Sequence, residues 1–269
     1  LIPALALTGL LALTPLEEAS AAYARADAGR VVAIYRRSPP QSAPDFAVLG
    51  KALFLNEDFA KAAEAFSQAV ARDPNRAEYR LWLGRATGRR AATASPLRAP
   101  GLAVETRKHF ERAVELDPRN AEALSDLFDY YLNAPGFLGG GEAKAAALIP
   151  KVRAIEPAQA HYLEAKLAEK RKDWAAAEAA LARAAAANEP GRLLDLARFY
   201  ARRGRMAEAE AAFRKVDPGY PPLYYARAEA LAASNPREAR QLVERYLTMP
   251  LTPDFPTRRE AEKLLAKIP

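Results

Sequence analysis

Two histidines, one run of three glycines and a surplus of basic side chains are the residues of this chain with the means to do chemistry. His109 and His161 could move protons or bind a metal, but neither has HExxH or any other ligand spacing around it. Each lies in a helical pattern beside an aromatic residue, Phe110 and Tyr162, and reads as a surface or packing histidine. The chain has no cysteine, so disulfides, thiolate metal sites and cysteine nucleophiles are excluded. Carboxylates number 33, yet no pair is set apart by spacing for acid–base work, and there is no G-x-S-x-G turn. Gly139-Gly140-Gly141 directly precedes a helix predicted from Glu142, where free backbone N–H groups could hold an anion. A phosphate-binding loop would follow its last glycine with Lys-Ser or Lys-Thr; here Glu142 and Ala143 follow instead. The loop is therefore read as a flexible connection that lets Phe137 and Leu138 tuck back onto the helices, with a partner contact as the alternative. No catalytic residue, cofactor or metal is expected.

The elements that would position any site are helical. Alanine and leucine carry much of the hydrophobic half of the composition, β-branched runs are few, and most of the 21 prolines and 13 glycines fall between periodic segments. Lys and Arg number 40, for a net charge of +7, a surface that could attract acidic proteins, anionic lipid or nucleic acid. The basic residues are interleaved with Asp and Glu, however, and form no cationic block, which reads as a solvated helical surface and argues against nucleic acid.

The helical segments repeat. Gly50 and Gly84 lie about 34 residues apart, and around the first runs Phe46-x-x-Leu49-Gly50-x-x-Leu53, then Phe59, Ala62-x-x-x-Phe66, Ala69 and Pro74. A second copy opens at Leu81-Trp82-Leu83-Gly84 and closes at Thr106-x-x-x-Phe110, Ala113 and Pro118. Its extra length is placed between its two helices, as a projecting loop over 88–101. A third runs from Asn120 to Pro157 with Ala134-Pro-Gly-Phe-Leu-Gly-Gly-Gly141 between its helices. A fourth has Tyr162, Leu163, Leu167, Trp174 and Leu181; a fifth Leu193-x-x-Leu196-Ala197-x-x-Tyr200, Gly204 and Ala209-x-x-x-Phe213; a weaker sixth Tyr225, Ala228, Ala239, Val243 and Tyr246. Thr14-Pro15-Leu16-Glu17 and Thr257-Arg-Arg-Glu260 carry helix-start signals at the two ends. The uncharged stretch from Leu1 to Leu13 suits the apolar region of a secretory signal; a buried first helix is the alternative. The boundaries are thus 1–13 for a leader, 14–42 for a degenerate helical pair, 43–247 for the repeats and 248–269 for a capping helix.

These motifs resemble the tetratricopeptide repeat family, and the 131–141 segment resembles that of an uncharacterised group of bacterial members, often with export signals. The resemblance implies an all-α, right-handed superhelical solenoid of antiparallel helix pairs, about six plus caps, and a non-catalytic scaffold for protein–protein interaction. It also implies that the first helix of each pair lines a concave groove. Aligned on the small residue of each repeat, that groove would present Lys51, Phe54 and Leu55, then Leu81, Arg85 and Arg89. Ser125, Asp129 and Asn133 follow, then Tyr162, Lys166 and Lys170, and last Leu194, Arg198 and Arg202. Such a row fits an extended or helical partner segment with acidic groups, with further contacts from loop residues Arg98, Phe137 and Leu138. The alternative is a groove for a small ligand such as a cell-wall fragment or lipid, or an accessory subunit of an envelope enzyme. Export to a bacterial periplasm is expected, with the cytoplasm as the alternative, and no membrane-integral domain beyond the possible leader.

Overall fold

A computed structural model describes residues 13–269; apart from Leu13, the leader read in the sequence lies outside the described residues. The helices form where the sequence starts them. At Thr14 the hydroxyl accepts from the Glu17 N–H at 3.2 Å while the Glu17 carboxylate accepts from the Thr14 N–H at 2.8 Å, with Pro15 in the first turn. The same reciprocal cap recurs at Ser42 with Asp45 and at Thr257 with Glu260. Each satisfies N–H groups that a helix start would otherwise leave without partners.

The described residues are helical and pair in chain order. The pairs are α1 (Pro15–Ala24) with α2 (Ala28–Arg37), α3 (Ala43–Leu55) with α4 (Phe59–Arg72), and α5 (Ala77–Thr93) with α6 (Ala99–Leu116). α7 (Ala121–Asn133) packs on a broken partner, α8 (Glu142–Ala146) and α9 (Ile149–Arg153). Then come α10 (Pro157–Lys170) with α11 (Trp174–Ala185), α12 (Pro190–Arg202) with α13 (Met206–Phe213), and α14 (Pro222–Leu231) with α15 (Pro236–Thr248); α16 (Arg258–Lys267) covers the end. The break between α8 and α9 falls just before Pro150, which has no N–H to continue the ladder.

Within a pair, the close crossing is made by a glycine under an aromatic ring. A methyl group on Gly50 would lie 2.8 Å from the Phe66 ring, and one on Gly84 would lie 2.6 Å from Phe110. Phe66 is wholly buried with Ala62 and Ala69, burial worth roughly 2–3 kcal/mol for the phenyl group. Successive first helices touch (α1 with α3, α3 with α5, α7 with α10, α12 with α14), whereas successive second helices make no comparable contact. The first helices therefore lie on the inside of the curve.

Two expectations need correction. Residues 88–101 are not a projecting loop: α5 continues to Thr93 and α6 begins at Ala99, so only 94–98 lie outside helix. Ala91, Ala92 and Ala99 favour the longer helices, and Pro100 sits in the first turn of α6, where its missing N–H costs nothing. Phe137 does not tuck back. It stands 83% exposed, while Leu138 is half-buried and its carbonyl accepts from the Tyr130 hydroxyl at 2.9 Å.

The curve closes on itself. Ala26, in the turn between α1 and α2, packs against the cluster built from α14, α15 and α16. Arg259 donates to the Asn56 carbonyl at 2.9 Å, and the Glu57 carboxylate accepts from Lys263 at 2.6 Å with Arg259 at 3.4 Å. Glu57 has φ +59, a left-handed backbone that costs a non-glycine residue about 1–2 kcal/mol. A cavity of about 580 Å³ lies at this seam, with Arg25, Leu55, Asn56, Leu251 and Arg259 in its wall.

Candidate partner-binding face

On α3, α5 and α10 a basic residue lies one turn from an aromatic one (Lys51 and Phe54, Arg85 and Trp82, Lys166 and Tyr162), and charges bridge from helix to helix. Lys51 of α3 reaches Glu78 of α5 at 2.6 Å, over the rings of Tyr23 and Trp82. Arg85 of α5 lies 4.8 Å from the Trp82 ring centre and bonds Asp126 at 2.5 Å and Glu122 at 3.1 Å on α7. Lys166 of α10 pairs with Asp129 of α7 and lies 5.5 Å from the Tyr162 ring. Arg202 of α12 returns to Glu169 of α10 at 3.2 Å, and Arg198 goes forward to Glu229 of α14 at 3.1 Å. Five successive steps of the solenoid are thus spanned by one ladder of ion pairs. Gln159 adds a neutral rung, its amide donating to the Ser125 hydroxyl at 2.8 Å.

Burial tunes these groups. Asp126 and Asp195 are pushed above the usual carboxylate range, chiefly by burial, with Arg85 and Arg192 pulling the other way. At Arg85 burial is the largest effect, but Asp126 and Glu122 together outweigh it and hold the guanidinium charged. Tyr23 and Tyr162 are each pushed up to about 12, first by burial and then by the charges of Asp254 and Asp195 respectively. Asp254 belongs to the connection between α15 and α16. Its neighbour Phe255 packs edge-on against Tyr220, with ring centres 5.4 Å apart.

Most of the residues read from the sequence meet on or beside this face. Lys51, Arg85, Ser125, Asp129, Tyr162, Lys166, Arg198 and Arg202 form or flank the ladder. Phe54 packs edge-on against Phe59 and Trp82. Arg89 lies 4.7 Å from the Phe59 ring centre, and Lys170 is exposed at the end of α10. Asn133 bonds its own helix end, donating to the Asp129 carbonyl at 2.9 Å, and Leu55 faces the seam. Leu81 and Leu194 are 2% and 1% exposed: they are core residues that present nothing to a partner. The face is built instead by Trp82, Glu122, Asp126, Gln159, Asp195 and Glu229. Trp82 and Asp195 each stand three residues before an inner-face arginine, Arg85 and Arg198, a helical signal present in the sequence.

The glycine run holds no anion nest. The N–H groups of Gly139, Gly140 and Gly141 are taken by the carbonyls of Gly136, Pro135 and Tyr131 at 2.9, 3.2 and 2.7 Å. A β-carbon on Gly140 would fall 1.8 Å from the Ala134 carbonyl oxygen, so the tight turn itself demands glycine there. His109 is shifted down by burial and then by Arg80, and His161 sits 2.8 Å from Glu164. Among the described residues no three His, Cys, Asp or Glu side chains are grouped to hold a metal. No described helix is long and apolar enough to cross a membrane.

Comparison with known proteins agrees with the geometry. A tetratricopeptide repeat family profile matches residues 48–87 and 162–223. Three solved structures share the fold. A thermophilic tetratricopeptide repeat protein of Thermus thermophilus is 22% identical, with TM-score 0.56 over 73% of this chain and 97% of its own. A tetratricopeptide repeat protein of Parabacteroides merdae is 14% identical, with TM-score 0.56 over 94% of this chain and 97% of its own. A chain of the APC/C hetero-tetramer Cut9–Hcn1 is 13% identical, with TM-score 0.53 over 94% of this chain and 48% of its own. No curated protein matches. The two matched stretches and the helix pairing around them show that the chain has the tetratricopeptide-repeat fold.

Proposed function

We propose that this protein is a scaffold that captures a segment of a partner protein along the inner face of its solenoid. The ladder across six successive first helices carries the reading. It fixes charged and aromatic groups in place before a partner arrives, so little ordering entropy remains to be lost on binding. The ladder does not exhaust its donors. A guanidinium has five N–H groups, and Arg198 commits only its Nε to Glu229. Carboxylates on an acidic, extended or helical segment would take the open donors of Arg85, Arg198 and Arg202, while apolar side chains rest on Trp82 and Tyr162. The cavity of about 250 Å³ beside Arg85 is lined by polar and charged groups apart from Ala121, and that of about 320 Å³ beside Arg198 by arginines, Glu229 and alanines, which suits a peptide better than a lipid tail.

A photo-reactive amino acid placed at Gln159 on the inner face, or at exposed Glu64 on the outer helix α4, tests this in the native cell. Adducts with a defined set of proteins from position 159 and none of them from 64 are expected. Equal labelling from both would sink the reading.

A further inference from the structure

The second pair departs from the repeat in a way the fold does not require. α5 and α6 have 17 and 18 residues, against 13 and 14 in α3 and α4, and the added turns carry the connection at 94–98 out past its neighbour. At its tip Leu97 is 96% exposed, and no packing role accounts for that. Beneath it a cleft of about 810 Å³ opens toward the turn at 57–60, lined by Phe59, Arg90, Arg98 and Leu102.

The charges here differ from those of the inner face. Arg89, Arg90 and Arg98 have no carboxylate partner among the described residues, whereas the inner-face arginines 85, 198 and 202 are all paired. The nearby carboxylates are already committed, Asp58 to Lys61 at 2.7 Å and Glu57 to Lys263 and Arg259. Arg89 is held against the Phe59 ring, so one guanidinium is positioned in advance.

We propose that this cleft is a second docking surface, separate from the inner face, for a short acidic peptide segment with a large apolar side chain. The apolar group would fill the space between Leu97, Leu102 and Phe59, and the flanking carboxylates would meet the two unpaired arginines that line the cleft, Arg90 and Arg98, with Arg89 behind the Phe59 ring. An anionic bilayer fits less well, because the site is a cleft walled on one side by Glu57 and Asp58 rather than a flat basic patch.

The test uses the full chain and a fluorescein-labelled synthetic peptide that alternates Glu with Leu and Phe, read by anisotropy. The same peptide with Lys in place of Glu is the control. The acidic peptide is expected to bind, more weakly as salt rises. Leu97→Asp and, separately, Arg90→Glu/Arg98→Glu are each expected to weaken it at least about tenfold. Because the inner face is read as taking acidic segments too, the cleft variants are also measured in an Arg85→Gln/Arg198→Gln background, where the peptide is expected still to bind and Leu97→Asp to abolish that binding. Equal binding of both peptides, or none, overturns the proposal. Loss only in the inner-face variant also overturns it, while leaving the inner-face reading intact. Phosphatidylserine vesicles are sedimented in parallel, and pelleting that depends on Leu97 and Arg98 without peptide binding would assign the cleft to a membrane surface instead.

Discussion

Gly140→Ala is expected to destabilise the protein by on the order of 3 kcal/mol or more, while Gly136→Ala, in the same connection, should change stability by no more than about 0.5 kcal/mol. The contrast comes from what each new methyl group meets. At Gly140 it would lie 1.8 Å from the Ala134 oxygen and 2.6 Å from its carbonyl carbon, both backbone atoms with no rotamer to yield. At Gly136 nothing lies within 4 Å. Relieving the clash means opening the turn, which also gives up the Tyr130–Leu138 and Lys144–Gly139 hydrogen bonds. Urea titration of the two variants beside wild type reads the difference directly. Equal midpoints for all three would show that the turn is not held in this form.

The second large effect belongs to the seam. Glu57→Lys is expected to detach α16 from the turn between α3 and α4, because one substitution replaces a shared carboxylate with a third cation beside Arg259 and Lys263. Glu57 is 17% exposed, but both cations are more than half exposed, so solvent screening holds the stability cost to about 1–2 kcal/mol. The change in shape is the larger consequence. With no native cysteine, spin labels at Ala60→Cys and Glu262→Cys report the distance across the seam without interference. Wild type should give one narrow distribution at neutral pH, and Glu57→Lys a broad, longer one. The hydrogen bond from Lys263, with smaller help from nearby positive charge, holds the Glu57 carboxyl below its ordinary range. A depressed folded pKa means that the seam's contribution is complete above the ordinary glutamate value of about 4.3 and is lost as pH falls through the folded value. The wild-type distribution should therefore hold at pH 5 and broaden below about pH 4. A broad distribution in wild type at pH 7 would contradict the closed form.

The helix pairs were legible because their signals are local. The glycine beneath a phenylalanine, the prolines after each pair and the caps at Thr14 and Thr257 all act within one or two turns of chain. The register of the inner face was nearly legible: Arg85 and Arg198 belong to it, but Leu81 and Leu194 point into the core one step away from Trp82 and Asp195. The added length of the second pair is visible in the sequence, but Gly88, Pro96 and Gly101 read as breakers there, while the alanines around them extend both helices. The ladder partners lay beyond local reading. Arg85 meets Asp126 only because α5 and α7 lie side by side, and Glu57 meets Lys263 only after the rotations of all intervening pairs have added up.

Capture of a partner on the inner face is tested most directly by crosslinking pull-down from the native organism, with wild type run beside Arg85→Gln/Arg198→Gln. Glutamine is chosen over glutamate because a new carboxylate at position 85 would face Asp126 and Glu122 and confuse binding with folding. A defined set of the proteins enriched by wild type should be lost from the double variant and kept by Leu97→Asp. Identical sets from wild type and a folded double variant would contradict the inner face as the working surface.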